Sequence, residues 1–365
     1  MMALTAAHEA AGATWMTVGD TAVPHAYARG FYYEHDAVRS AVGAIDLSYL
    51  AQFEVTGPDR NAFINRAVCS DVSLLATGGV QFTALLTDGG CFLDEVMLYR
   101  FDESLLLVVN AENAMGAWLH LLELKRLVGG NVRLRNVSDE TVQFGVEGPR
   151  AADLVASLSS EAVLTMPFRT VRSARVAGVD VFVARSGYSG EDGFELFARA
   201  RDALALWTAL VEAGAVPYGH AARDLLRLEM GYVAWGREVD ADVTPAEAGL
   251  GWIVALDKGA RFVGEAALRA ERRRGLVRRL VAVRTVEDGA TLRDGDPVVA
   301  RGRVVDRIRS SAFGPSVGAT IALTYVPVAY AEPGMRVECA GPGGAVIPLV
   351  IVRRPFYAGG SRQRS

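Results

Sequence analysis

The chain has 365 residues, 51% of them hydrophobic, with 38 Lys and Arg against 42 Asp and Glu for a net charge of −4. That length exceeds one ordinary domain and implies two or three, while the balanced charge supplies no basic footprint for nucleic acid and no apolar run reaches membrane-spanning length. Cys69, Cys91 and Cys339 are far apart without CxxC spacing, so neither a zinc site nor a disulfide framework is indicated, and a reducing compartment fits. Met1 to Ala13 lacks the basic-then-apolar order of an export signal, so the chain is expected to be soluble and cytoplasmic.

Residues 51–137 read as one α+β unit. A strand over Ala51 to Thr56 precedes a helix from Asp59 with Phe63, Ile64 and Ala67 on one face. Val80 to Leu86, Phe92 to Tyr99 and Ser104 to Asn110 then form an antiparallel meander, broken at Gly89-Gly90 and Asp102-Glu103. A helix follows over Ala114 to Val128, with Met115, Trp118, Leu122 and Leu127 near helical spacing and Gly129-Gly130 ending it. Within the second strand of the meander, alternation groups Asp94 with Phe92, Val96 and Leu98, and Glu95 with Leu93, Met97 and Tyr99. Each acid therefore has apolar neighbours, and burial would raise its pKa by desolvation. Such an acid either reaches solvent at the strand end or is buried with a partner, and in either place it is a candidate for a site.

From Val142 the same plan repeats. A strand to Val146, a helix with Pro149 in its first turn, further strands to Phe197 and a helix capped by Asp202, with Leu206, Leu210 and Val211 inward, complete the second unit. Between its strands lies Arg185-Ser186-Gly187-Tyr188-Ser189-Gly190-Glu191-Asp192, denser in glycine and acid than a plain hairpin requires, so it would present Tyr188 and its acids at a sheet end. Glu195 shares a strand face with Gly193 and Phe197. A carboxylate there can accept paired hydrogen bonds from the edge of a flat heterocycle, or it is a surface acid on an edge strand. Arg223 and Arg227 lie one helical turn apart within Gly219 to Gly231, where they face a ligand or join Asp224 and Glu229 in a surface network. The basic run Arg269 to Arg279 reads as a solvated linker. Beyond it, Leu280 to Thr285, Val298 to Val305, Ile321 to Tyr325, Met335 to Cys339 and Ala345 to Val352 are short strands among Gly and Pro, the pattern of a small all-β barrel or sandwich.

Several chemistries are not supported. His8, His25, His35, His120 and His220 show no ligand spacing, and there is no GxSxG elbow, GxGxxG turn or P-loop.

Three long segments are distinctive: Ser186-Gly187-Tyr188-Ser189-Gly190-Glu191-Asp192-Gly193-Phe194-Glu195, Ala222-Arg223-Asp224-Leu225-Leu226-Arg227-Leu228-Glu229, and Thr244-Pro245-Ala246-Glu247-Ala248-Gly249-Leu250-Gly251-Trp252. With them the sequence resembles the aminomethyltransferase family, which includes the glycine cleavage T-protein. The resemblance implies an α+β, three-domain cloverleaf: two ferredoxin-like antiparallel α+β domains and a C-terminal small β-barrel around a tetrahydrofolate pocket. Residues 1–50 plus 138–270 would form the discontinuous folate-binding domain, 51–137 the inserted one, and 276–365 the barrel. By the family pattern Glu195 would grip the pterin edge, Tyr188 and Arg223 line the pocket, Asn110 bond the pterin and Leu50 pack on it. Counting from Gly89-Gly90 puts Asp94 at the catalytic aspartate; Leu93 then replaces the family's first acid, and an alternative register puts Glu95 there.

The implied activity is tetrahydrofolate-dependent one-carbon transfer of aminomethyl or methyl groups, from a small-molecule or lipoyl-protein-bound donor. Tyr49 stands where the family has histidine and Trp235 where it has tyrosine, which opens demethylase or specialised transfer to a small molecule. Two further readings are a non-catalytic folate-binding scaffold and a detached folate domain fed by a partner oxidase.

Overall fold

Three large sheets carry the chain, and the space between two of them holds the candidate site. The computed structural model describes residues 2–159, 163–287, 289–341 and 345–361, and is of mixed α+β class. The first sheet has five antiparallel strands in the order Val80–Leu86, Phe92–Arg100, Ser104–Val109, Ala51–Thr56, Arg133–Asn136. Helices Arg60–Ala67 and Ala114–Val128 cover one face, where Phe63, Ile64, Ala117 and Leu121 pack on Phe53, Val96, Leu98 and Leu107. The long helix turns a different side inward from the one its spacing suggested: Ala117, Leu121 and Leu124 are buried, and Met115, Leu122 and Leu127 are exposed. A helix apolar on most sides offers more than one plausible stripe, and close packing selected the one with the small Ala117.

The second sheet has six strands in the order Val171–Val176, Val179–Ala184, Gly193–Arg199, Thr141–Glu147, Gly43–Asp46, Val216–Pro217, the last pair parallel. Helices Ala151–Leu158 and Ala203–Glu212 bury Leu154, Leu206 and Leu210 against Phe144, Val146, Phe194 and Leu196. Asp202 occupies the N-cap of the second helix, but its side chain makes no capping bond. The opposite face of this sheet meets the uncovered face of the first. Phe197 and Tyr218 join Leu50, Tyr99, Leu106 and Val108 in one shared apolar cluster.

The C-terminal sheet has seven strands drawn from Arg278–Val352. The stretch Val298 to Val305 is a hairpin rather than one strand, turning at Arg301 and Gly302 with φ of +49° and +73°. Ser310–Gly314 adds an edge strand that the sequence pattern did not suggest. The basic run is also more ordered than a linker: Glu265–Arg274 is a helix, leaving residues 275–277 as the connection. Its buried Leu268 lies over Gly90, and Arg272, Arg273 and Arg274 complement the negative end of the helix dipole. At the amino end, a helix Met2–Ala10 and a hairpin of Thr14–Val18 with Thr21–Ala26 pack on the second unit through His8, which bonds Tyr27 Oη at 2.9 Å and Asp46 at 3.2 Å. Among the described residues no helix is long and apolar enough to cross a membrane.

Candidate active site

The loop between Val179–Ala184 and Gly193–Arg199 is held from several sides. Glu191 pairs with Arg39 at 3.0 Å and accepts from Ser361, and Asp192 pairs with Arg185 at 2.7 Å. Both of the loop's carboxylates are thus architectural. Gly190 has φ of +86°, and a Cβ there would fall 2.3 Å from Met230 Sδ, so glycine is required both by conformation and by space. The N–H groups of Tyr188 and Ser189 donate to Glu147 Oε2 at 3.1 and 2.8 Å, while Tyr218 Oη donates to its other oxygen at 3.2 Å. Glu147 was missed in the sequence. Its signal was there, since Gln143, Gly145 and Glu147 alternate with Val142, Phe144 and Val146 and mark a polar inner face.

That clamp presents Tyr188 to a cavity also lined by Leu50, Asn110 and Arg223, bringing four of the six expected site residues together, with Tyr49 and Trp235 on the same lining. The Arg223 guanidinium lies 4.5 Å from the centre of the Tyr188 ring, a cation–π geometry. Tyr188 Oη donates to the Val233 carbonyl. His220 on the same wall is held neutral, its pKa pushed down to about 4 by burial and then by Arg223. Tyr49 Oη is buried without a hydrogen bond. The neighbouring Arg227 does not belong to a surface network: it is 1% exposed and bonds Asp224 at 2.8 Å and Glu238 at 2.7 Å.

Glu195 is not on that lining. Its strand is central, between Val179–Ala184 and Thr141–Glu147, so the edge-strand alternative is removed. Tyr99 Oη donates to Oε2 at 2.6 Å, Ser186 donates to the same oxygen, and Gln143 Nε2 donates to Oε1 at 2.9 Å. Burial raises its pKa, and the Ser186 and Tyr99 bonds oppose the rise.

Asp94 and Glu95 part company. Asp94 is fully buried, with Oδ1 accepting from Asn110 Nδ2 at 2.7 Å and Oδ2 from the Asn110 N–H at 3.1 Å. Glu95 reaches the other way, across to the second unit, where Oε1 accepts from the Trp235 N–H at 3.1 Å; Oε2 is buried without a partner. Burial raises both pKa values, and the Asp94 charge raises that of Glu95 further.

Against this geometry the comparisons are decisive. The GCVT N-terminal domain matches residues 4–258, and the glycine cleavage T-protein C-terminal barrel domain matches 278–358. The chain belongs to the aminomethyltransferase family. A relative named aminomethyltransferase from Symbiobacterium thermophilum is 36% identical over 96% of this chain and 95% of its own length. One from Streptomyces coelicolor is 36% identical, covering 97% and 96% respectively. The solved aminomethyltransferase T of the glycine cleavage system from Bartonella henselae superposes with a TM-score of 0.91, at 30% identity, over 98% of both chains. The α+β fold of several sheets with a C-terminal barrel is the family's, and the chain is an enzyme of this family.

Proposed function

We propose that the chain transfers an aminomethyl group to tetrahydrofolate, with ammonia released, at the space between the two inner sheets. The observation that carries this reading is the leftover bonding capacity of buried groups there. Glu195 has three of about four carboxylate lone-pair sites in use, and Gln143 Oε1 beside it is buried and unpartnered. Together they offer two acceptors in line, a fit to the ring N–H and amino group on a pterin edge. Leu50 and the Tyr188 ring supply apolar walls for the faces, and Asn110 and Arg223 supply donors. Bound tetrahydrofolate contributes two secondary amines that accept the one-carbon unit. The protein's part is to orient those amines, exclude water through the surrounding apolar cluster, and hold a carboxylate from the Asp94-Glu95 pair against the charge that develops.

Tyr49 and Trp235 favour a second reading of the donor side. Both line the cavity, and both are bulkier than the histidine and tyrosine of the family pattern. A small molecule carrying the methyl or aminomethyl group fits such a narrowed entry as well as a lipoyl arm does. Incubation with tetrahydrofolate and a panel of aminomethyl-lipoyl, N-methyl, O-methyl and S-methyl donors, followed by identification of the folate product, tests both readings. Methylenetetrahydrofolate with ammonia from the lipoyl donor supports the first, and methyltetrahydrofolate from a small molecule supports the second. No folate product from any donor contradicts both.

A further inference from the structure

We infer that Glu95, and not Asp94, is the carboxylate that faces the reactive amines, and that Asp94 is a positioning residue. This rests on the folate-dependent reading above. Three independent features of the strand Phe92–Arg100 carry it.

The first is register. Leu85 pairs with Asp94 but Leu86 pairs with Phe92, so Leu93 is an extra residue taken up in a β-bulge. A bulge shifts the alternation by one residue. Beyond it, Val96 and Leu98 pack under the helix Ala114–Val128, whereas Met97 and Tyr99 belong to the cluster between the two sheets. Asp94 shares the first side and Glu95 the second. Counting residues from Gly89-Gly90 ignores this insertion, which is why it lands on Asp94.

The second is how each acid's oxygens are engaged. Both Asp94 oxygens are engaged by Asn110, whose side chain also donates to the Glu95 carbonyl at 3.2 Å. Asp94 therefore fixes Asn110, a cavity residue, from behind. Glu95 has one oxygen anchored by the Trp235 N–H and the other free, and Ala234 and Trp235 line the cavity. A buried carboxylate oxygen left without a donor is costly unless a ligand supplies one.

The third is order along the inward-facing stripe. Glu95, Met97 and Tyr99 follow at two-residue intervals, roughly 13 Å from first to last at strand rise, and Tyr99 donates to Glu195. One end of the stripe thus presents the acceptors for a pterin edge, the middle a flexible thioether, and the far end a buried carboxylate with one oxygen unpartnered. The charged and titratable groups around that end include Asp94 on its own strand, Tyr188 from the loop, Arg223 and Arg227 from the helix across the cavity, and Glu112 and Asp224 on the same lining. Oε2 is placed to take the proton the first amine releases as it bonds to the incoming carbon and to return it to the amino group that leaves that carbon as ammonia. The second amine then bonds to the same carbon as the C–S bond breaks, its proton going to the departing thiolate, and no oxidant or reductant is required.

Calorimetry with tetrahydrofolate in two buffers of different ionisation enthalpy, and turnover with tetrahydrofolate and an S-aminomethyl thiol, test this on the full chain. Glu95→Gln should bind tetrahydrofolate with close to the parent's affinity, lose the proton exchanged on binding and turn over about 100-fold or more slowly. Glu95→Asp should recover part of the rate. Asp94→Asn should melt at lower temperature yet keep the proton exchange and the parent's pH profile. Full turnover by Glu95→Gln, or proton exchange lost in Asp94→Asn and intact in Glu95→Gln, overturns the assignment. Absence of any heat with the parent chain overturns the folate reading itself, and this assignment with it.

Discussion

Arg227 and Arg223 lie one turn apart on the helix His220–Glu229 and have opposite surroundings. Arg227 bonds Asp224, Glu238, Ser310 and the Tyr232 carbonyl, tying the helix to the C-terminal sheet. Close by, Arg39 joins Glu229 at 2.8 Å and Glu191 at 3.0 Å, and His35 meets Glu229 at 2.9 Å. Apart from Glu238 Oε1, which is buried without a partner, this region has its charges answered. Around Arg223, by contrast, the guanidinium makes no hydrogen bond or ion pair among the described residues, and Tyr49 Oη and Glu95 Oε2 are buried without partners. An unanswered buried polar group costs stability, so the unpartnered Tyr49 and Glu95 oxygens are where a ligand's donors would be most stabilising.

The largest expected effect breaks the saturated side. Arg227→Met leaves Glu238 buried with its cation gone, and denaturant titration should show a loss of about 3–5 kcal/mol. Arg223→Met should leave stability within about 1 kcal/mol of the parent, while calorimetry shows tetrahydrofolate affinity falling about tenfold or more, as expected for a lost charge-assisted bond of about 1.5–3 kcal/mol. Equal destabilisation by both would erase the contrast between the two turns.

A smaller effect concerns pH. Burial raises the Glu95 pKa above its unfolded value, so the native state holds its proton longer, and stability falls as pH rises from the ordinary carboxylate range through the raised value. Glu95→Gln removes that fall. Thermal melts should show the variant gaining on the parent as pH rises from about 4 to about 8, and a constant gap would contradict the buried, strained carboxylate. The smallest expected change is Trp235→Tyr, which should alter the relative rates of lipoyl and small-molecule donors without moving the melting temperature.

Much of the framework was legible in the sequence because strand alternation and turn residues are local signals. The meander of Val80–Leu86, Phe92–Arg100 and Ser104–Val109 and the helix Ala114–Val128 fell where the pattern put them. The site was legible in its types: Leu50, Asn110, Tyr188 and Arg223 do share one cavity. What escaped was whatever depends on long-range contact. Glu147 clamps the Tyr188 loop from 41 residues away, and the Glu195 donors come from Tyr99, Gln143 and Ser186 on three separate segments. The bulge at Leu93 escaped for another reason: the two acids sort as the alternation put them, Asp94 with Val96 and Leu98 and Glu95 with Met97 and Tyr99, and a bulge leaves no mark in apolar periodicity when the inserted residue is itself apolar.

The most direct test of the account is a crystal structure of the chain with tetrahydrofolate bound. The account predicts the pterin edge against Glu195 and Gln143, the ring over Met97, and the secondary amines within hydrogen-bond reach of Glu95 Oε2. A complex with those amines against Asp94, or with the ligand bound anywhere outside the space between the two inner sheets, would contradict it.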